Sequence, residues 1–271
     1  MSTLDVSSGP VQRRLARKVP EVIVWFWVAK VLSTALGEST SDYLVHRFDP
    51  FVAVSLGALG LSVALVAQFA VRRYIAWVYW LTVVMVAVFG TMAADVVHIK
   101  FGVPYAVSTV MFSVALAVVF ALWYATEKTL SIHSIVTTRR ELFYWATVMT
   151  TFALGTAAGD MTASTMHLGY FSSGLLFGGL ILVPLVAYLW LRLDEVVAFW
   201  VAYILTRPLG ASFADWTGKA RRLGALAYGD GRVSLVLSLL IVAVVAYLAL
   251  SKCDVVVATD GPGRHSASDT S

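Results

Sequence analysis

A tryptophan, a glycine ten residues later and an aspartate five residues beyond that recur four times in this chain. The copies are Trp27–Gly37–Asp42, Trp80–Gly90–Asp95, Trp145–Gly155–Asp160 and Trp200–Gly210–Asp215. The residue before each aspartate is small (Ser41, Ala94, Gly159, Ala214), so every copy also contains a Gly-x3-small pair. An internal repeat of this kind outranks any local reading, because each copy must be one structural unit. Each copy also runs through apolar sequence. Trp to Asp covers ~22 Å of helix at ~1.5 Å per residue, most of the ~30 Å hydrocarbon core of a bilayer.

Composition agrees with that scale. The 271 residues are 59% hydrophobic and 13% charged, where a soluble domain carries about 25% charge. Such a chain cannot cover a water-facing surface, and the fold class expected is an all-α integral membrane protein. Eight candidate spans stand at 20–41, 51–71, 74–94, 103–124, 141–159, 170–191, 195–214 and 232–250, each close to the ~20 residues that crossing requires. Lys30 interrupts the first and Arg207-Pro208 the seventh, which makes these two the least clean.

Each repeat is then a hairpin of a motif helix, an outer loop and a return helix. Two helices per repeat is an even number, so all four motif helices run in the same direction, as parallel repeats. The expected organisation is a basic tail (1–18), repeats 1 and 2 (19–126), a linker (127–140), repeats 3 and 4 (141–251) and a disordered Gly/Ser/Asp-rich tail (252–271). That makes two pseudo-symmetric halves.

Lysines and arginines set the orientation. Arg13, Arg14, Arg17, Lys18, Arg72, Arg73, Lys128, Arg139, Arg140, Arg192, Lys252 and Arg264 fall on the side of the termini; Arg47, Lys100, Lys219, Arg221, Arg222 and Arg232 fall on the other. The bias places both termini in the cytoplasm of a multi-pass protein of the bacterial inner membrane. The first twenty residues have no apolar core of a signal peptide. Basic residues in short clusters between apolar runs are topology signals, so no nucleic-acid partner is expected. Cys253 is the single cysteine and builds no disulfide framework. A monomer and a homodimer are both compatible with four hairpins.

With its four tryptophan-bearing hairpins, the chain resembles a family of bacterial membrane proteins made of four tandem two-helix repeats of unknown function, catalogued as uncharacterised membrane-anchored proteins. The resemblance covers about residues 19–250, and Trp27, Trp80, Trp145 and Trp200 would be the family tryptophans. It implies an architecture and no biochemistry, so function is argued from residues.

Gly37, Gly90, Gly155 and Gly210, each four residues before a small residue, make a smooth face on which helix backbones can approach closely. The tryptophans sit where indoles anchor at a membrane interface or pack, and with the glycines they form the expected packing motif. The aspartates end their helices at the outer edge of the hydrocarbon, where an ionisable group is a functional candidate by default. Arg47 and Lys100, five residues after Asp42 and Asp95, offer structural partners. If the repeats surround one axis, the carboxylates converge and either share protons or bind cations. The first copy is the richest in oxygen: Glu38 stands one turn before Asp42 and shares its helix face. Lys30 and Arg207 are the buried cations that could neutralise these acids. His46, His98 and His167 follow the acids at irregular offsets and could ligate a divalent metal of unspecified identity.

The sequence carries no HExxH, G-x-S-x-G or phosphate-loop motif, and neither an enzyme nor a cofactor is expected. The leading expectation is a small secondary transporter that exports a metal or other small cation against proton entry. Glu38, Asp42, Asp95, Asp160 and Asp215 would supply its oxygens. The alternative is a non-transporting scaffold or sensor whose repeats serve only packing.

Overall fold

The computed structural model describes residues 17–255. Most of the expected tails, and with them the expected disorder of the C-terminal one, lie outside the described residues. The described chain holds no strand. Its helices are α1 (Val24–Arg47), α2 (Pro50–Ala70), α3 (Ala76–Asp95), α4 (Tyr105–Glu127), α5 (Thr138–Asp160), α6 (Gly169–Leu180), α7 (Leu182–Leu191), α8 (Glu195–Gly218) and α9 (Asp230–Ser251). In lipid every backbone polar group must be satisfied within the protein, which is why apolar runs of this length become helices. Local signals set the ends. Asp49 and Asp194 accept backbone N–H bonds at the starts of α2 and α8. Return helices α4, α7 and α9 stop on Lys128, Arg192 and Lys252, all in the left-handed conformation. A cation suits the negative end of the helix dipole there.

The motif helices α1, α3, α5 and α8 form a closed ring. One contact recurs at every seam: a side chain three residues before the next repeat's glycine presses on the motif glycine. Ala87 lies against Gly37, Phe152 against Gly90, Arg207 against Gly155 and Thr34 against Gly210. A second cycle lies two to three turns inward. The aromatic residue before each motif tryptophan meets the tryptophan of the next repeat: Phe26–Trp80 at 5.7 Å between ring centroids, Tyr79–Trp145 at 5.6 Å, Tyr144–Trp200 at 6.2 Å and Phe199–Trp27 at 5.7 Å. Two cycles in the same register at two depths require the four helices to be parallel. Each return helix packs chiefly on the motif helix of the following repeat: α2 on α3, α4 on α5, α6–α7 on α8 and α9 on α1.

The fold refines several expectations. The tryptophans pack within the ring rather than anchoring at an interface. Trp80, Trp145 and Trp200 are buried and Trp27 half-buried, because the ring's inner end is sealed by aromatic packing. The α-helices of the second and third repeats end at Asp95 and Asp160 as expected, but those of the first and fourth do not. α1 continues to Arg47 and α8 to Gly218, while α3 and α5 pass into π-helical turns, Val96–Lys100 and Met161–Thr165. The seam between the expected halves, α3 to α5, is built like the seams within them, so packing makes one ring and not two halves. Among the described residues, six of the eight expected segments are long and apolar enough to cross a membrane by themselves: α2, α3, α4, α6–α7, α8 and α9. α1 and α5 are equally long but less apolar: α1 carries Lys30 and Glu38 within its span, and α5 is rich in threonine and glycine between Leu142 and Gly159.

Candidate cation site

The residues after the motif glycines are, in order, Glu38, Thr91, Thr156 and Ala211. Arg207, three residues before Gly210, reaches three of them. Its Nη2 donates to Glu38 Oε2 at 2.5 Å, to Thr156 Oγ1 at 2.7 Å and to Thr91 Oγ1. Its Nη1 lies 3.5 Å from the Thr34 carbonyl. One guanidinium thus ties α8 to α1, α3 and α5, and it is fully buried. Arginine suits this place because its planar fork serves several acceptors at once and stays charged.

One turn outward, carboxylate oxygens of Glu38, Asp42 and Asp215 all lie within 4.8 Å of one another. Lys219 caps this triad. Its Nζ donates to Asp42 Oδ2 and lies 3.7 Å from Asp215 Oδ1. Burial alone would lower the Lys219 ammonium. The Asp215 and Asp42 carboxylates outweigh that and hold it well above the ordinary lysine value, so it stays charged at physiological pH.

Asp95 and Asp160 complete the set differently. Both are half-buried. Among the described residues neither takes part in a hydrogen bond or an ion pair through its side chain. Both also immediately precede a π-helical turn, a local widening that recurs at functional positions.

Inward of Arg207, Lys30 is buried with no hydrogen-bond partner for Nζ, which sits 4.0 Å from the ring centroids of both Phe152 and Tyr203. It is held by aromatic faces and not by an acid, contrary to its expected role as a charge partner of the carboxylates. Arg47 and Lys100, the expected partners of Asp42 and Asp95, are exposed and make no ion pair among the described residues.

The histidines do not join the acids. His46 is exposed and its Nδ1 donates to the Asp42 carbonyl at 2.7 Å. His98 spends Nδ1 on the Val103 carbonyl at 3.0 Å and places Nε2 3.2 Å from Ser108 Oγ. His167 is exposed in a left-handed loop conformation. The chain stays helical past each aspartate, and that extension carries the histidines away.

Sequence reasoning passed over Thr91, Thr156 and Lys219. A signal for each was available. The threonines occupy the column of Glu38 when the repeats are aligned on glycine, and Lys219 follows Asp215 by four residues, on the same helix face.

The model of the family described as Repeat of Unknown Function (DUF347) matches residues 25–74, 78–129, 143–194 and 198–253. The chain belongs to this family. Each match begins two residues before a motif tryptophan and ends just past a return helix, so the DUF347 repeat is the hairpin seen in the fold. No curated protein and no solved structure matches the chain. The long apolar helices make this DUF347 protein a multi-pass membrane protein in contact with lipid.

Proposed function

We propose that this DUF347 protein is a small secondary transporter that exports a metal or other small cation across the bacterial inner membrane in exchange for protons. All eight segments cross the membrane in this reading, and both termini are cytoplasmic. α1 and α5 cross because the other helices shield their charges from lipid. Glu38, Asp42, Asp95, Asp160 and Asp215 are the exchanging groups, and Lys219 is the resident cation that an incoming ion displaces.

The observation that carries the reading is the gathering of three carboxylates within 4.8 Å, with two further motif acids that have no side-chain partner among the described residues. Hard cations take several oxygen ligands of this kind. The threonine hydroxyls of the next layer add neutral oxygens.

The test uses the full-length protein in proteoliposomes, with Mn2+ as the probe and a pH gradient as the driving force. Asp95→Asn and Asp160→Asn break no ion pair, so both variants should remain folded while losing Mn2+-coupled proton movement by roughly tenfold or more. Wild-type rates in both variants would remove these acids from the mechanism. Equal inactivity of the wild type with Mn2+, Zn2+, Mg2+ and K+ would remove cation transport itself.

One observation favours the second reading, a membrane scaffold or sensor. Arg207 and Lys219 already neutralise Glu38, Asp42 and Asp215 in part, and the same contacts clamp the ring. A scaffold predicts that the Asn variants change neither transport nor proton movement.

A further inference from the structure

At three of the four seams the inner half of a return helix wedges between two motif helices. α9 fills the α1–α3 seam with Val245 and Leu248, both buried. α2 fills the α3–α5 seam, where buried Gln68 donates to Glu141 of α5 at 2.8 Å. α4 fills the α5–α8 seam with Trp123, which is 0% exposed and lies 5.9 Å from the ring of Trp200.

The fourth seam is different. The third return helix breaks at Ile181, and its inner half, α7, buries only Pro184. Between α7, α8 and α1 it leaves a cavity of about 840 Å³, lined by Val31, Trp27, Phe199, Ala202, Leu185 and Thr206 among others. This volume falls within the ~300–1,000 Å³ range of small-molecule sites. Its walls are apolar along the length, and polar groups gather at the inner end. There His133 Nε2 lies 3.5 Å from Glu195 Oε1, and Arg17 Nη1 lies 3.2 Å from His133 Nδ1.

We propose that this open seam is a binding site for one acyl chain of a phospholipid from the inner leaflet, whose head group meets the Arg17–His133–Glu195 rim. Three features choose this occupant. Depth is the first: Glu195 to Thr206 spans ~16 Å of helix at ~1.5 Å per residue, which matches one leaflet, ~15 Å of a ~30 Å core. Polarity is the second, since an amphiphile alone needs apolar walls with charge at one end. Access is the third: Leu185 and Tyr188 of α7 line the cavity and are themselves exposed, so α7 does not close it off from its surroundings. Along its apolar walls the cavity offers water few of the two to four polar partners it needs. The site is independent of the cation chemistry, but the leaflet it faces rests on the proposed cytoplasmic placement of the termini.

The experiment reconstitutes the full-length protein in vesicles of phosphatidylcholine and phosphatidylethanolamine doped with a phospholipid carrying a photoreactive diazirine in its acyl chain. Adducts are mapped by peptide mass spectrometry. Labelling should concentrate on residues 22–31 and 196–206, roughly tenfold above exposed sites such as Val118 of α4 and Leu239 of α9. Ala202→Trp, which fills the cavity, should abolish that excess. An even spread of adducts over all lipid-facing helices in the wild type overturns the proposal without recourse to any variant. So does a crosslinked second copy of the chain that occupies the seam and excludes the lipid. Unchanged seam labelling in a folded Ala202→Trp variant overturns it as well.

Discussion

Arg207 is the residue on which the four motif helices meet. A buried charge held this way is costly to orphan: removing one partner of a buried ion pair costs about 3–5 kcal/mol. Arg207→Met should therefore lower the unfolding free energy of the detergent-purified protein by about that amount. The double variant Arg207→Met with Glu38→Gln should recover much of the loss, because the uncompensated carboxylate goes too. Thermal melts of the wild type, the two single variants and the double variant decide it. A double variant no more stable than Arg207→Met would mean that the guanidinium acts through packing on Gly155 rather than through charge. Lys30 shows how little a residue type says about its partner. It was expected beside acids and instead lies between two aromatic rings.

Among elements, the motif helix is defined by what its glycine admits. A Cβ on Gly37 would collide with the Cβ of Ala87 and stand 2.8 Å from its backbone carbonyl carbon. Backbone cannot yield as a flexible side-chain tip does. A Cβ on Gly159 would meet Pro208 at 3.7 Å, an ordinary contact. Gly37→Ala should thus destabilise the protein by about 1–3 kcal/mol, the usual range for overpacking, while Gly159→Ala should be near neutral. Chemical unfolding of the two variants side by side measures the contrast, and equal losses would refute the seam geometry. The Gly-x3-small pattern pointed to this face from sequence. It could not reveal that the intruding groups come from one fixed position, three residues before the next glycine.

For the whole molecule, the ring closes only when the last repeat meets the first. Thr34 of α1 seats on Gly210 of α8, its Oγ1 lies 3.2 Å from the Thr206 carbonyl, and α9 covers α1. Neither half therefore contains a complete set of seams. A chain cut between α4 and α5, in the segment 129–136, should yield halves that are unstable when expressed alone and that copurify as one complex when expressed together. A stable, monodisperse first half on its own would show that closure is not what holds the fold.

The repeat, the membrane class, the parallel direction of the motif helices and the gathering of Glu38 with Asp42 were all legible in the chain. They depend on spacing, hydropathy and helix period, which are local properties. Partners across the ring were not legible. Arg207 to Glu38, Lys219 to Asp42 and Lys30 to Phe152 are separated by more than a hundred residues. Their pairing depends on which seam each side chain enters. The same holds for the open fourth seam: Pro184 is visible in sequence, but the helix break at Ile181 interrupts what reads as one span, and the cavity exists only because α1 and α8 close the ring beside it.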